Sequence, residues 1–263
     1  MRARTSTTWI AAIALIGAPT IAIAQANTPV VAVLYFDNNS FGKDRADFEG
    51  LGKGIADLLI TDMASNGAMR VVERDRLQSI LQEQSLVQSK SIDPQTAVRL
   101  GKLLGAQYMI TGGFMSDGKG TLLVTSRVIN VETGAITNPV KLQSKGDDVL
   151  GLVGQLSTKL NTELKLPAPV RTGDAEKKPA SVGDASATKQ TGRQAAATQV
   201  AQNVPAKSRK LDVKTALLYS KALDEQDNGN RQRAAELYRA VLEKFPDFGP
   251  AQQNLAKVQK PGY

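Results

Sequence analysis

The 263 residues contain no cysteine and no histidine. Without cysteine, no disulfide can staple the fold and no thiolate can serve as nucleophile. Without either residue, zinc sites of the usual N/S kind and serine–histidine triads are excluded. Serine–lysine and two-carboxylate hydrolysis are the catalytic routes such a composition leaves. No residue spacing singles either out, so no catalytic, cofactor-binding or metal-ligating residue is assigned. Aromatic residues make up 5% of the chain, with one tryptophan. Long apolar runs are also missing. The longest, Trp9 to Ile23, spans 15 residues with Pro19 inside it, short of the roughly 20 that cross a bilayer.

What surrounds that run gives it a meaning. Arg2 and Arg4 precede it, and the small-x-small sequences Ala22-Ile23-Ala24 and Ala24-Gln25-Ala26 end it. Residues 1–26 read as a secretory signal peptide, with the mature chain starting at Gln25 or Asn27. No cysteine follows to take a lipid, so the expectation is a periplasmic protein without a lipid anchor. The formal charge is +8. On an exported protein it points to anionic lipid, peptidoglycan or protein partners and not to nucleic acid.

Much of that charge sits between Pro167 and Lys210. The segment has eight basic and three acidic residues and no Leu, Ile, Met, Phe, Tyr or Trp. It cannot bury enough apolar surface to offset the entropy of ordering, so 167–210 reads as a disordered basic linker. The two roles open to it are a soluble spacer and a weak tether to anionic lipid or peptidoglycan.

Residues 27–166 form the first folded piece. Val30 to Phe36 is an apolar, β-branched run that fits a strand covered on both faces. Phe48, Leu51, Ile55, Leu58, Leu59 and Met63 recur at helical spacing, closed by Asn66-Gly67. A short strand at Arg70–Val72 leads to a helix marked by Leu77, Ile80, Leu81 and Val87. Asp93-Pro94 starts another helix, which ends at Gly105. Tyr108–Phe114 and Thr121–Val131 read as a hairpin, Glu132-Thr133-Gly134 as a turn, and Ile136–Leu142 as a third strand of the meander. A last helix carries Val149, Val153, Leu156 and Leu160. The fold class expected is an α/β (α+β) sandwich, a mixed sheet with flanking helices.

The segments VAVLYFDN, GLGKGIADLLITDM, VVERDRLQSILQEQ, LGAQYMITGGF and RVINVETGAI, in that order, resemble the CsgG-like family of envelope proteins. That family includes the curli secretion channel and LpoB- and FlgO-like periplasmic domains. The resemblance implies the sandwich fold and a role in the envelope. It implies no particular job, because one fold hosts many functions. Two departures stand out: no lipidation cysteine is present, and no spare pair of amphipathic strands is left to build a pore.

Residues 211–260 read as a small all-α helical-hairpin module resembling a tetratricopeptide repeat. Ala222, Ala234, Tyr238 and Pro246 fall at the motif's small, small, aromatic and proline positions. Leu218 and Glu225 stand where the motif has tryptophan and tyrosine. One and a half repeats bury little surface. The module is therefore expected to dock on the first piece, self-associate or stack on a partner, coupled to the first piece only loosely through the linker. Leu218, Tyr238 and Leu255 are its candidate partner-binding residues.

Other tempting features have plainer readings. Gly50-Leu51-Gly52-Lys53-Gly54 lacks the spacing of a phosphate loop and reads as a glycine-rich helix start. Asp37, Asp44, Asp47 and Glu49 lie near the carboxyl end of the first strand, where α/β sheets bind ligands, but they match no Ca²⁺ loop. Glu73-Arg74-Asp75-Arg76 reads as a charged helix start with local ion pairs. The function expected is a periplasmic, non-enzymatic interaction protein, with no cofactor, that joins or regulates an envelope assembly: secretion, surface-fibre export, flagellar outer parts or cell-wall synthesis. Its partners would be envelope proteins, with self-association open. The alternative is a ring-forming subunit associated with a curli-type channel.

Overall fold

The computed structural model describes residues 28–86, 92–117, 120–137, 139–165 and 210–260. The segments read as a signal peptide (1–26) and, apart from Lys210, as a linker (167–210) lie outside them, as does Val87. The first piece runs β1 (Val30–Val33), β2 (Asp37–Asn38), α1 (Lys43–Asp47), α2 (Leu51–Ala64), β3 (Arg70–Val71), α3 (Arg74–Glu83), α4 (Pro94–Leu104), β4 (Tyr108–Ser116), β5 (Thr121–Asn130), β6 (Val140–Lys145) and α5 (Val149–Glu163). Then come α6 (Val213–Asp227), α7 (Arg231–Lys244) and α8 (Gly249–Gln259). The result is a mixed sheet with flanking helices. Its order is β3-β1-β4-β5-β6, with β2 beside β4. Strands β1, β2, β3 and β4 run parallel, and β4-β5-β6 form an antiparallel meander. Among the described residues no helix is long and apolar enough to cross a membrane.

Local chemistry fixes the best-formed ends. Asp93 caps α4 by accepting from the N–H groups of Gln95 and Thr96, Pro94 fills the first helical position, and Gly105 closes the helix in the left-handed region. The meander's third strand starts later than the sequence suggests. Ile136 makes only a lone bridge to Ile129, and the ladder begins at Val140, after Pro139, whose nitrogen has no hydrogen to donate.

The strand expected over Val30–Phe36 is broken. Val33 pairs with Ile110, but Asp37 pairs with Gly113, so four steps on one strand face three on the other. This is a β-bulge, and it reverses which face each later residue occupies. Its cause is α2. The Phe36 N–H donates to the Gly52 carbonyl (3.3 Å) instead of to the sheet. A Cβ at position 52 would sit 1.8 Å from the Phe36 oxygen, so only glycine allows the approach. The bulge turns Phe36 into the core and leaves Asp37 at the edge of a cleft on the opposite sheet face.

The two sheet faces carry separate cores. One lies under α3 and α4: Ala32, Leu34, Leu77, Leu81, Leu100, Leu104, Met109 and Ile129. The other lies under α2 and α5, and it continues without a break into α6–α8 through Ala216, Tyr219, Leu223, Tyr238 and Phe248. This corrects the expectation of two loosely coupled pieces: the helices after the linker complete the core of the first. The returning chain is also tied by backbone bonds beside the start of α5, Val213 N–H to Gly146 O (2.7 Å) and Val149 N–H to Leu211 O (2.9 Å).

Candidate functional site

The densest polar chemistry lies where α2 and α3 meet α6 and α8. It starts in the glycine-rich segment. Gly54 faces α6, where a Cβ would fall 1.9 Å from Ser220 Oγ, so glycine lets the two helices close together. Lys53 and Asp57, one turn apart on α2, then face the same way. Lys53 Nζ lies 2.7 Å from Asp224 and 2.9 Å from Asp227 Oδ2, the second an ion pair off the line of a hydrogen bond. It also lies 5.4 Å from the Tyr35 ring centre.

Arg74 opens α3 and is 4% exposed. Its guanidinium meets three carboxylates: Asp227 of α6 through Nη1, Asp75 at 2.9 Å and Asp57 at 3.3 Å. Lys257 of α8 reaches Asp75 at 3.2 Å. The hydroxyl of Tyr219 donates to Asp57, and the Asn254 amide donates to Tyr219 Oη at 2.9 Å. The Tyr219 ring packs on Tyr238 and edge-on to Phe248. Tyr35 and Tyr238 donate to Gln78 and Gln226 at 2.8 and 2.7 Å. Beside the network, Asp57, Glu73, Arg74, Asp75, Asn254 and Lys257 help line a cleft of about 430 Å³.

Burial sets the protonation. It pushes the Asp57 carboxyl above the usual carboxylate range, against the Tyr219 hydrogen bond and the Arg74 charge. Burial also drives the Tyr219 hydroxyl well up, reinforced by Asp57, so it stays a donor. Burial alone would lower Arg74, but Asp227, Tyr35 and Asp57 more than reverse it and hold the guanidinium charged. Each charge of Arg74 and Lys53 is met within the chain. A buried ion cluster of this kind contributes little net stability against an apolar replacement, but it penalises any pose that separates its members. Its chemistry is that of docking: it fixes α6–α8 on α2 and α3 in one orientation. Among the described residues no cluster of carboxylates is arranged to hold a metal ion.

The three residues singled out in the helical module fall differently. Tyr238 is wholly buried and holds α7 to its neighbours, while Leu218 and Leu255 are half-buried at the edge of the shared core. The structure brings none of the three into the ionic cluster. Sequence reading found the Arg74–Asp75 pair but missed that Arg74 is buried and reaches α6. The available signal was Lys53 among glycines that make room for a helix. Asp47 and Glu49 stay exposed on the loop before α2.

Residues 20–121 match the family described as curli production assembly/transport component CsgG. That stretch, which among the described residues runs from β1 to the first residue of β5, is similar to this family. No curated protein matches the chain. Solved structures with partial likeness include the LpoB C-terminal domain from Salmonella enterica, at 18% identity over 45% of this chain and 83% of that one, TM-score 0.33. Lipoprotein GNA1162 from Neisseria meningitidis has 12% identity over 52% and 96%, TM-score 0.36. The PelC dodecamer from Paraburkholderia phytofirmans has 16% identity over 54% and 90%, TM-score 0.34. The α6–α8 helices lie beyond the family match.

Proposed function

We propose that this chain is a non-enzymatic binding protein of the bacterial envelope that joins or regulates an assembly there, acting from the periplasm. The observation that carries the reading is the match of residues 20–121 to a curli assembly and transport family. The composition agrees with it, because the chain has no histidine or cysteine to serve as nucleophile, base or soft metal ligand. The helices α6–α8, read as a repeat-type pair with the start of another, supply the partner-facing surface. Leu218 and Leu255, half-buried there, are the side chains proposed to meet the partner, and Tyr238 supports them from inside.

The test has two parts. Osmotic shock should release a chain beginning at Gln25 or Asn27, and an intact Met1 on chain retained in the cytoplasm would end the reading. A photo-crosslinking residue at position 218 or 255 should then trap an envelope protein that the same probe at the exposed Leu103 does not. Equal trapping at all three positions would remove the helical surface from the proposal.

A further inference from the structure

The bulge that turns Asp37 outward helps form a second cleft, on the sheet face away from α2. Its lining includes Ile92, just ahead of α4, and no described residue of α3 or α4 itself. The cleft holds about 280 Å³, and its walls include Asp37, Asn39, Thr111, Thr125 and Arg127. Gly113 forms its floor, where a Cβ would lie 2.3 Å from Asn39 Nδ2. Register places these groups together. Thr111 sits opposite Arg127, and Gly113 has Asp37 on one side and Thr125 on the other.

Two of these side chains are unpaired. Thr111 is 9% exposed and lines the cleft, and its hydroxyl makes no hydrogen bond among the described residues. Arg127 is exposed, and its guanidinium has neither ion pair nor hydrogen bond among the described residues. Arg127 supplies a planar, two-pronged donor suited to a carboxylate. Asp37 already has an interaction within the chain, and a second carboxylate beside it would be repelled. Asn39 and Thr111 can both donate and accept. The volume sits at the low end of ligand pockets and suits a single ring.

We propose that this cleft binds the carboxylate-bearing sugar unit of an acidic saccharide, with Arg127 on the carboxylate and Asn39 and Thr111 on ring hydroxyls. This site is separate from the ionic junction, and it holds or fails independently of the envelope reading. Titrating the mature full-length chain with glucuronate, followed by amide NMR, should move the signals of Thr111–Gly113 and Thr125–Arg127 saturably. Glucose, acetate and L-alanine should each bind at least about ten-fold more weakly, because each lacks one half of the recognition. Arg127→Gln should weaken glucuronate about ten-fold while leaving glucose unchanged, and Thr111→Val should weaken both about three-fold. Arg127 is exposed and unpaired, so its variant keeps the fold, verified by an unchanged melting curve. Absence of saturable shifts with glucuronate would overturn the site. Acetate or L-alanine matching glucuronate would overturn the saccharide and leave a plain carboxylate or amino-acid binder. An Arg127→Gln titration indistinguishable from wild type would remove the proposed recognition.

Discussion

The two faces of the sheet are finished in opposite ways, and two arginines show it best. On the face under α2 and α5, covering continues outward into α6–α8, and Arg74 is enclosed there by Asp57, Asp75 and Asp227. On the other face a cleft remains beside the core under α3 and α4, and Arg127 on its wall makes no ion pair among the described residues. The same side chain is thus a posing device in one place and an open recognition group in the other. What differs is whether the chain brings back its own counter-charges. Those of Arg74 include Asp227, which arrives 153 residues later.

The largest expected effect tests that contrast. Arg74→Met would leave Asp57 and Asp227 buried without their shared cation. Removing one partner of such a cluster costs about 3–5 kcal/mol, read as a drop in urea-unfolding free energy. Arg127→Met should stay within about 0.5 kcal/mol of wild type, as unpaired surface substitutions do. If Arg74→Met lost no more than Arg127→Met, the ionic junction would be ornamental and the contrast would collapse.

Why one side was easier to foresee follows from distance along the chain. The α4 helix was legible because Asp93, Pro94 and Gly105 signal its ends within the helix itself. The β4–β5 hairpin was legible because its strands are long and joined by a short turn. The bulge was not, because it depends on Gly52 coming within contact of Phe36. The place of α6–α8 was not, because Tyr219 finds Asp57 across 162 residues and composition says nothing about such a return. Tyr238 was recognised as important through its repeat-like spacing, but spacing could not say that its ring would pack on Tyr219 of α6, inside the core shared with the first piece. At the second cleft, Asp37 was noticed for its place after a strand, while Thr111 and Arg127 became visible only through cross-strand register.

A smaller effect of opposite sign sharpens the comparison within the covered face. Ser157 and Asn161, one turn apart on α5, are buried, and the Ser157 hydroxyl and both Asn161 amide atoms have no hydrogen-bond partner. The buried hydroxyls of Thr215, Tyr219 and Ser220 on α6 each make a hydrogen bond; Ser157 and Asn161 on α5 do not. Asn161→Leu should therefore raise the unfolding free energy by about 1 kcal/mol, since an unsatisfied buried amide carries a penalty that an apolar group of similar size avoids. A loss of stability would mean that Asn161 has a partner in solution and that α5 is as fully paired as α6.

The smallest effect concerns pH, and here two aspartates, one in the ionic junction and one capping α6, pull against each other. Burial raises Asp57 above the ordinary aspartate value, so its protonated form is the one that folding favours. Its contribution is fully present below the unfolded value, about 3.9, and is lost as pH rises through the raised folded value. Asp212 is the reverse. Burial pushes it up, but the Thr215 N–H and hydroxyl that it receives as cap of α6 outweigh that and hold its carboxyl below the ordinary value. Its contribution is present above the unfolded value and is lost as pH falls through the lowered folded one. Neutral asparagine at each site removes the titration while keeping a side chain of the same shape. Asp57→Asn should flatten the fall of unfolding free energy on the side above about 3.9, and Asp212→Asn should flatten the fall on the acid side. Asparagine is itself a good helix cap, so the second variant should lose little at neutral pH. Denaturant unfolding of the three proteins across this range reads both slopes. If the wild type and Asp57→Asn have parallel curves above that value, Asp57 titrates normally, and the junction is open to water in a way that the enclosed Arg74 contradicts.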